Sequence, residues 1–245
     1  MSQKKERLDL LVQEQFPHLT RNQIQSFIMQ GKVKIDGIPC IKAGTKVAVD
    51  VAIVLDQLRP KFVSRAGFKL EKALEAFSLD VTGFVAMDAG ISTGGFSDCL
   101  LQKGCAKIYG IDVGYGQVHP SIAHNSRVVV MERTNLRNVV SLPELVDIVT
   151  LDLSFISVLK VIDRAVSFLK PSGHLVVLIK PQFEARREEI CKGGVVKDPV
   201  VHARVVQELV DGISLAGFEC KGVVDSPILG GTSGNKEMLA YFIKK

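Results

Sequence analysis

The sequence predicts an α/β protein: a mostly parallel, doubly wound seven-stranded sheet whose last strand runs antiparallel, preceded by a small α+β module. Three observations carry that prediction. From residue 66 onward, short apolar runs alternate with stretches of helical periodicity, as strands joined by crossover helices do. The last two apolar runs are separated by a loop (225–236) too short for a crossover helix, so they pair antiparallel. The net charge of +5 is also lopsided: residues 1–65 hold eleven Lys and Arg against six Asp and Glu, while residues 66–245 hold twenty of each. A small basic unit beside a neutral larger one reads as two domains, the first suited to an anionic polymer.

In the first domain, Leu8, Leu11 and Val12 mark a short helix. Thr20 can N-cap a second, with Ile24, Phe27 and Ile28 on one face. Gly31 stops that helix; Val33 and Ile35 then alternate with Lys32, Lys34 and Asp36, and Asp36-Gly37 is a hairpin turn signal. A further strand is expected over 46–53. The domain is read as 1–59, followed by a linker at 60–64 and a second domain over 65–245. There a helix over 64–77 precedes strands at 84–87, 107–111, 127–131, 148–151, 175–179, 219–224 and 238–243. Helices are expected at 95–103, 158–169 and 200–216.

A hydrophobic share of 47% and a charged share of 23% describe a soluble globular chain. No apolar run reaches bilayer length, and the polar first residues lack a signal-peptide core, so the expected location is cytoplasmic with no membrane partner. The five cysteines form no C-x-x-C and no zinc pattern, so no metal is expected.

The first strand of the sheet ends in Met87-Asp88-Ala-Gly90-Ile-Ser92-Thr-Gly94-Gly95-Phe96, opening onto a helix. Glycines there let backbone approach a ligand, and helix-terminal N–H groups offer hydrogen bonds. The second strand ends at Asp112, where a carboxylate can accept both hydroxyls of a ribose. G-x-G-x-x-G spacing is missing, which demotes NAD; Asp-x-Gly with a Gly-Gly turn matches S-adenosylmethionine better. Gly90-Ile-Ser92-Thr-Gly94 also fits the G-x-S-x-G nucleophile elbow, with Asp152 and His202 following in hydrolase order. That serine follows the first strand instead of a later one, and His202 falls within a helical stretch.

Four charged residues fall at one edge of the predicted sheet. Asp152 ends the fourth strand, Lys180 ends the fifth, Glu237 starts the reversed last strand, and Lys69 sits early in the helix feeding the first strand. Their common edge is the crevice where open α/β sheets bind ligands.

Two resemblances cover nearly the whole chain. The segment Thr20-Arg-Asn-Gln-Ile-Gln-Ser-Phe-Ile-Met-Gln-Gly31-Lys-Val-Lys-Ile-Asp-Gly37 resembles the S-four RNA-binding domain. The larger part resembles the TlyA family, two-domain rRNA methyltransferases related to the FtsJ-like 2′-O-methyltransferases. The matching stretches are Phe62-Val-Ser-Arg65-Ala-Gly-Phe-Lys69-Leu-Glu-Lys-Ala-Leu, residues 88–101, Thr134-Asn135-Leu-Arg137, Leu151-Asp152-Leu-Ser-Phe-Ile-Ser, Ile179-Lys180-Pro-Gln-Phe-Glu184, Gly194-Val-Val-Lys-Asp198-Pro and Gly234-Asn-Lys-Glu237. Ile91 stands where that family usually has a small residue.

This resemblance implies a class I methyltransferase fold and a catalytic tetrad of Lys69, Asp152, Lys180 and Glu237. It implies S-adenosylmethionine contacts at Asp88, Gly90, Ser92, Gly94, Gly95, Phe96 and Asp112, with Glu132 and Asn135 near the adenosine. RNA contacts are implied at Arg21, Lys32, Lys34 and Arg65. The implied activity is 2′-O-methylation of ribosomal RNA within ribosomal subunits, at a cytidine. Two other readings compete: a catalytically inactive RNA-binding ribosome-assembly factor, and a cytolysin, a label some family members bear.

Overall fold

The computed structural model describes residues 4–56, 60–230 and 234–245. It divides into two compact units, Met1–Lys61 and Phe62–Lys245. The end of the expected first domain, 57–59, lies outside the described residues.

The first unit runs β1 (Lys5–Arg7), α1 (Leu8–Gln15), α2 (Arg21–Met29), β2 (Val33–Ile35), β3 (Ile38–Cys40), β4 (Lys46–Ala48) and β5 (Ile53–Leu55). Thr20 does cap α2: its hydroxyl accepts the Gln23 amide at 3.3 Å, and its own amide donates to the Gln23 side chain at 2.8 Å. Such a reciprocal cap contributes about 1 kcal/mol. Leu8, Val12, Ile24, Phe27, Ile28, Val33 and Leu55 form the core. The single strand expected over 46–53 is instead two. Ala48 accepts the Val51 amide in a turn; β4 then pairs with β1, and β5 pairs with β2 in a separate sheet. The sequence shows no break there because the turn uses neither glycine nor proline.

The second unit runs α3 (Ala66–Ala76), β6 (Val85–Ala89), α4 (Gly95–Gln102), β7 (Lys107–Ile111), α5 (Pro120–Ala123), β8 (Val128–Met131), β9 (Val146–Leu151), α6 (Ile162–Val166), β10 (Leu169–Ile179), α7 (Pro181–Glu184), α8 (Pro199–Leu215), β11 (Phe218–Asp225) and β12 (Met238–Lys244). Its seven strands lie in the order β8-β7-β6-β9-β10-β12-β11. All neighbours are parallel except β12, which runs against both β10 and β11. Alternate residues feed two apolar layers: Met87 and Val149 pack on one face, Ala86 and Ile148 on the other.

One expectation here needs correcting. The helix over 158–169 shrinks to a 3-10 turn at Val158–Lys160 and the short α6, and Leu169 already pairs with Val146 in the sheet. Its β-branched residues favour neither long helix nor exposure, and Pro171-Ser172-Gly173 is absorbed by an irregularity inside β10. Within the expected linker at 60–64, Phe62 and Val63 pack on the second unit. Phe62 is buried, its ring meets Phe68 edge-on at 5.1 Å, and the Val63 amide donates to Asp98 at 2.7 Å.

Candidate active site

Parallel strands deliver their C-terminal ends, and the antiparallel β12 its start, to one edge of the sheet. Two cavities open there. The first, about 460 Å³, is lined by Gly90 and Ser92 after β6, Asp112 and Gly114 after β7, Asn135 after β8, and Asp152 to Ile156 after β9. Gly90 is required twice over. Its φ is +88°, and a Cβ would fall on the Asp152 carbonyl oxygen. Asp112 accepts the Ser92 amide at 2.8 Å on one carboxylate oxygen and the Gly114 amide at 2.7 Å on the other. Each oxygen keeps a second lone pair for a ligand hydroxyl. Ile91, bulky for this loop, fits because Gly110 across from it has no side chain to meet.

The second cavity is lined by Lys69 from α3, Asp152, Lys180 at the end of β10 and Glu237 before β12. Lys180 Nζ lies 2.6 Å from Asp152 and donates to the Ser154 hydroxyl at 2.9 Å. Lys69 Nζ lies 2.5 Å from Glu237. All four side chains are largely shielded from water, so each charge is met by its partner in a weakly screened setting. The two cavities share Asp152, Ser154 and Phe155 as a common wall. A group bound in one is therefore presented to a group bound in the other.

Other residues singled out from the sequence lie elsewhere. Asp88 is fully buried: Ser97 donates to it at 2.6 Å and Thr150 at 3.0 Å, so it braces α4 and β9 beneath the glycine turn. Burial pushes its carboxyl up to about 6 against those stabilising hydroxyls. Gly94 takes φ +96° to start α4 and packs on Ile122, Gly95 leaves room for Ser64 and α3, and Phe96 is core. Their spacing serves helix packing, which glycine motifs also require. Glu132 accepts the Gly116 amide at 2.7 Å outside the cavity lining. His202, the histidine of the hydrolase reading, sits on α8 bonded to the Val196 carbonyl and does not line the cavity that Ser92 lines.

Among the cations expected to meet RNA, Arg65 is exposed at the start of α3. Arg21 is exposed and 3.8 Å from Asp9, while Lys34 is paired with Asp56 at 2.8 Å and Lys32 lies over the Phe27 ring. Asp9 was not singled out from the sequence. The Arg7 guanidinium grips it in a fork at 2.8 and 2.9 Å and holds its carboxyl below the usual range.

Phe155 belongs to a motif, and the sequence gives it no role of its own. It is 90% exposed, has φ +65°, sits on the shared wall, and its ring lies 5.0 Å from Phe183. A strained, water-facing phenylalanine at a cavity rim has no packing explanation. The motif held it, but its exposure exists only in three dimensions.

With this geometry in view, known proteins can be compared. Residues 62–244 match the family described as FtsJ-like methyltransferase, and residues 6–53 match the S4 domain. A Mycobacterium tuberculosis protein named 16S/23S rRNA (cytidine-2′-O)-methyltransferase TlyA is 42% identical over 91% of this chain and 83% of its own. Hemolysin A of Brachyspira hyodysenteriae is 35% identical over 97% of this chain and 99% of its own. A solved S-adenosylmethionine dependent methyltransferase from Mesorhizobium loti shares the fold at 16% identity, with a TM-score of 0.53 over 71% of this chain and 96% of its own. The S4 domain, the strand order and the near full-length relatives agree: this chain belongs to the TlyA family of two-domain, FtsJ-like methyltransferases.

Proposed function

We propose that this protein methylates a ribose 2′-hydroxyl of ribosomal RNA, at a cytidine, using S-adenosylmethionine. One observation carries the reading: the cavity holding the two ion pairs shares a wall with the cavity that carries Asp112 and the Gly90 turn. The donor set of the cavity around Asp112 fits a nucleoside. Asp112 has free acceptor capacity for ribose hydroxyls, Gly90 leaves backbone exposed, and Leu136 and Ile156 supply apolar surface for a base. When bound there, S-adenosylmethionine supplies an electrophilic methyl group. The residues of this chain do the rest.

A 2′-hydroxyl is a poor nucleophile, and most of the rate comes from placing it in line with the methyl group. Lys180, fixed by Asp152 and Ser154, presents an ammonium that favours the alkoxide developing on that hydroxyl, whose proton passes to solvent. The Lys69–Glu237 pair holds the other side of the acceptor ribose. Phe155 offers a face on which the acceptor base stacks once it leaves its neighbours. The basic first unit, bearing Arg21, Lys32 and Lys34, adds non-specific affinity for the RNA.

The test is transfer of a tritiated methyl group to ribosomal subunits from cells lacking the protein. Lys180→Ala is expected to lower transfer by about a thousandfold while S-adenosylhomocysteine binding stays within about threefold. Undiminished transfer by that variant would remove the mechanism. No methylation by the wild type would instead favour the assembly-factor reading.

A further inference from the structure

An acceptor ribose inside RNA has a phosphodiester on C3′, the carbon next to the one that bears its 2′-hydroxyl. Wherever that hydroxyl meets Lys180, a phosphate must therefore lie within a few ångströms of the same cavity. The cavity's own cations are committed, Lys69 to Glu237 at 2.5 Å and Lys180 to Asp152 at 2.6 Å. Asp152, Ser154 and Phe155 face the cofactor side. The polar lining that remains is Gln182 and the Gly193-Gly194 turn.

Gly193 and Gly194 line that cavity, in a tight turn closed by a bridge between Cys191 and Val195. Their φ values are +93° and +76°, and no atom lies within 4 Å of where a Cβ would stand on either. In this they differ from Gly90, Gly95 and Gly230, whose missing side chains make room for protein atoms. The open space beside Gly193 and Gly194 belongs to solvent or a ligand. Among the described residues no hydrogen bond holds the Gly193 amide, and no ion pair holds the exposed Lys192 beside it. The Gly194 amide closes the turn on the Cys191 carbonyl at 3.0 Å, which leaves the Gly193 amide, with Lys192 beside it, to meet an anion.

The turn is also held rigid relative to the ion pairs. Asn235, fully buried two residues before Glu237, accepts the Val196 amide at 2.9 Å and donates to the Gly194 carbonyl at 2.8 Å. His202 bonds the Val196 carbonyl at 2.9 Å. One asparagine thus ties the segment bearing Glu237 to the glycine turn.

We propose that the Gly193-Gly194 turn, with Lys192, is the binding site for the RNA backbone phosphate adjoining the acceptor ribose, and that Asn235 sets its position against Glu237. This rests on the RNA 2′-O-methyltransferase reading above. The experiment uses the full chain with ribosomal subunits, measuring RNA affinity against salt, the KM for subunits, kcat and S-adenosylhomocysteine affinity. Lys192→Gln is expected to weaken RNA binding about three- to tenfold and to reduce the slope of log affinity against log salt by about 1. Gly193→Ala is expected to raise the KM for subunits about tenfold with kcat within about twofold, as loss of a positioning contact predicts. Both variants should keep wild-type S-adenosylhomocysteine affinity. Wild-type KM and salt slope in both variants overturn the proposal. If Gly193→Ala loses S-adenosylhomocysteine binding, its fold has changed and Lys192→Gln alone decides. A wild-type protein that methylates no ribosomal RNA overturns the underlying reading instead, so the two failures are told apart.

Discussion

Glu237→Gln probes the ion pair that joins the two ends of the second unit. Lys69 and Glu237 are 168 residues apart in sequence yet meet at 2.5 Å, with side chains 10% and 3% exposed. Glutamine keeps the shape but removes the charge, leaving the Lys69 ammonium buried against a neutral amide. Breaking a buried pair in this way costs about 3–5 kcal/mol, whereas a surface pair costs less than about 1 kcal/mol. The amide has little freedom to turn away, because the Glu237 carboxylate already fills the space that a Cβ on Gly230 would need. The chain has no tryptophan, and its three tyrosines, Tyr109, Tyr115 and Tyr241, all lie in the second unit, so intrinsic tyrosine fluorescence follows that unit alone. At a slope of about 3 kcal/mol per molar urea, a loss of about 4 kcal/mol lowers the midpoint by about 1.3 M. The double variant Lys69→Met/Glu237→Gln should recover part of the loss, since it no longer buries an unpaired charge. A single-variant shift below about 0.3 M, equivalent to about 1 kcal/mol, would show that the pair behaves as a solvated surface contact.

Two further substitutions address the floor of the site. Burial places the Asp88 carboxyl at about 6, above its unfolded value of 3.8, so the fold binds this proton more tightly than the unfolded chain does. Stability from this group is therefore fully present below about pH 4 and falls by about 3 kcal/mol as pH rises through about 6. Asp88→Asn should flatten the urea midpoint between pH 4 and 7, since Ser97 and Thr150 can serve an amide as well; an unchanged pH slope would show that Asp88 is not its source. Gly90→Ala should cost about 1–2 kcal/mol from the left-handed backbone alone, and more from collision with the Asp152 carbonyl. Calorimetry should show weakened S-adenosylhomocysteine binding with a lowered Tm, and wild-type values of both would refute the close-approach reading of Gly90.

Much of this was legible in advance because it depends on local rules. Thr20 and Gln23 announce their capping box by spacing alone. The second half of the interior strand β10, Leu175–Ile179, declares itself as a continuous apolar run, and the short loop before β12 requires its reversal. Strand ends then place Asp152, Lys180 and Glu237 on one edge without any contact being known. The errors came where two local signals compete. In 46–53 a turn lies hidden among strand-forming residues, and in 158–169 helical spacing lost to pairing between Leu169 and Val146.

The chain's order of residues alone determined its two units, the strand order's reversal at the end and the edge on which its ionic residues gather, because periodicity, capping and loop length act over a few residues. Only the tertiary structure decided which glycine lines a cavity and which faces a neighbouring helix, that Asp88 is a buried brace, and that Phe155 and the Gly193-Gly194 turn stand open at the cavities. Exposure and close approach depend on segments distant in sequence, and no local pattern encodes the space they leave between them.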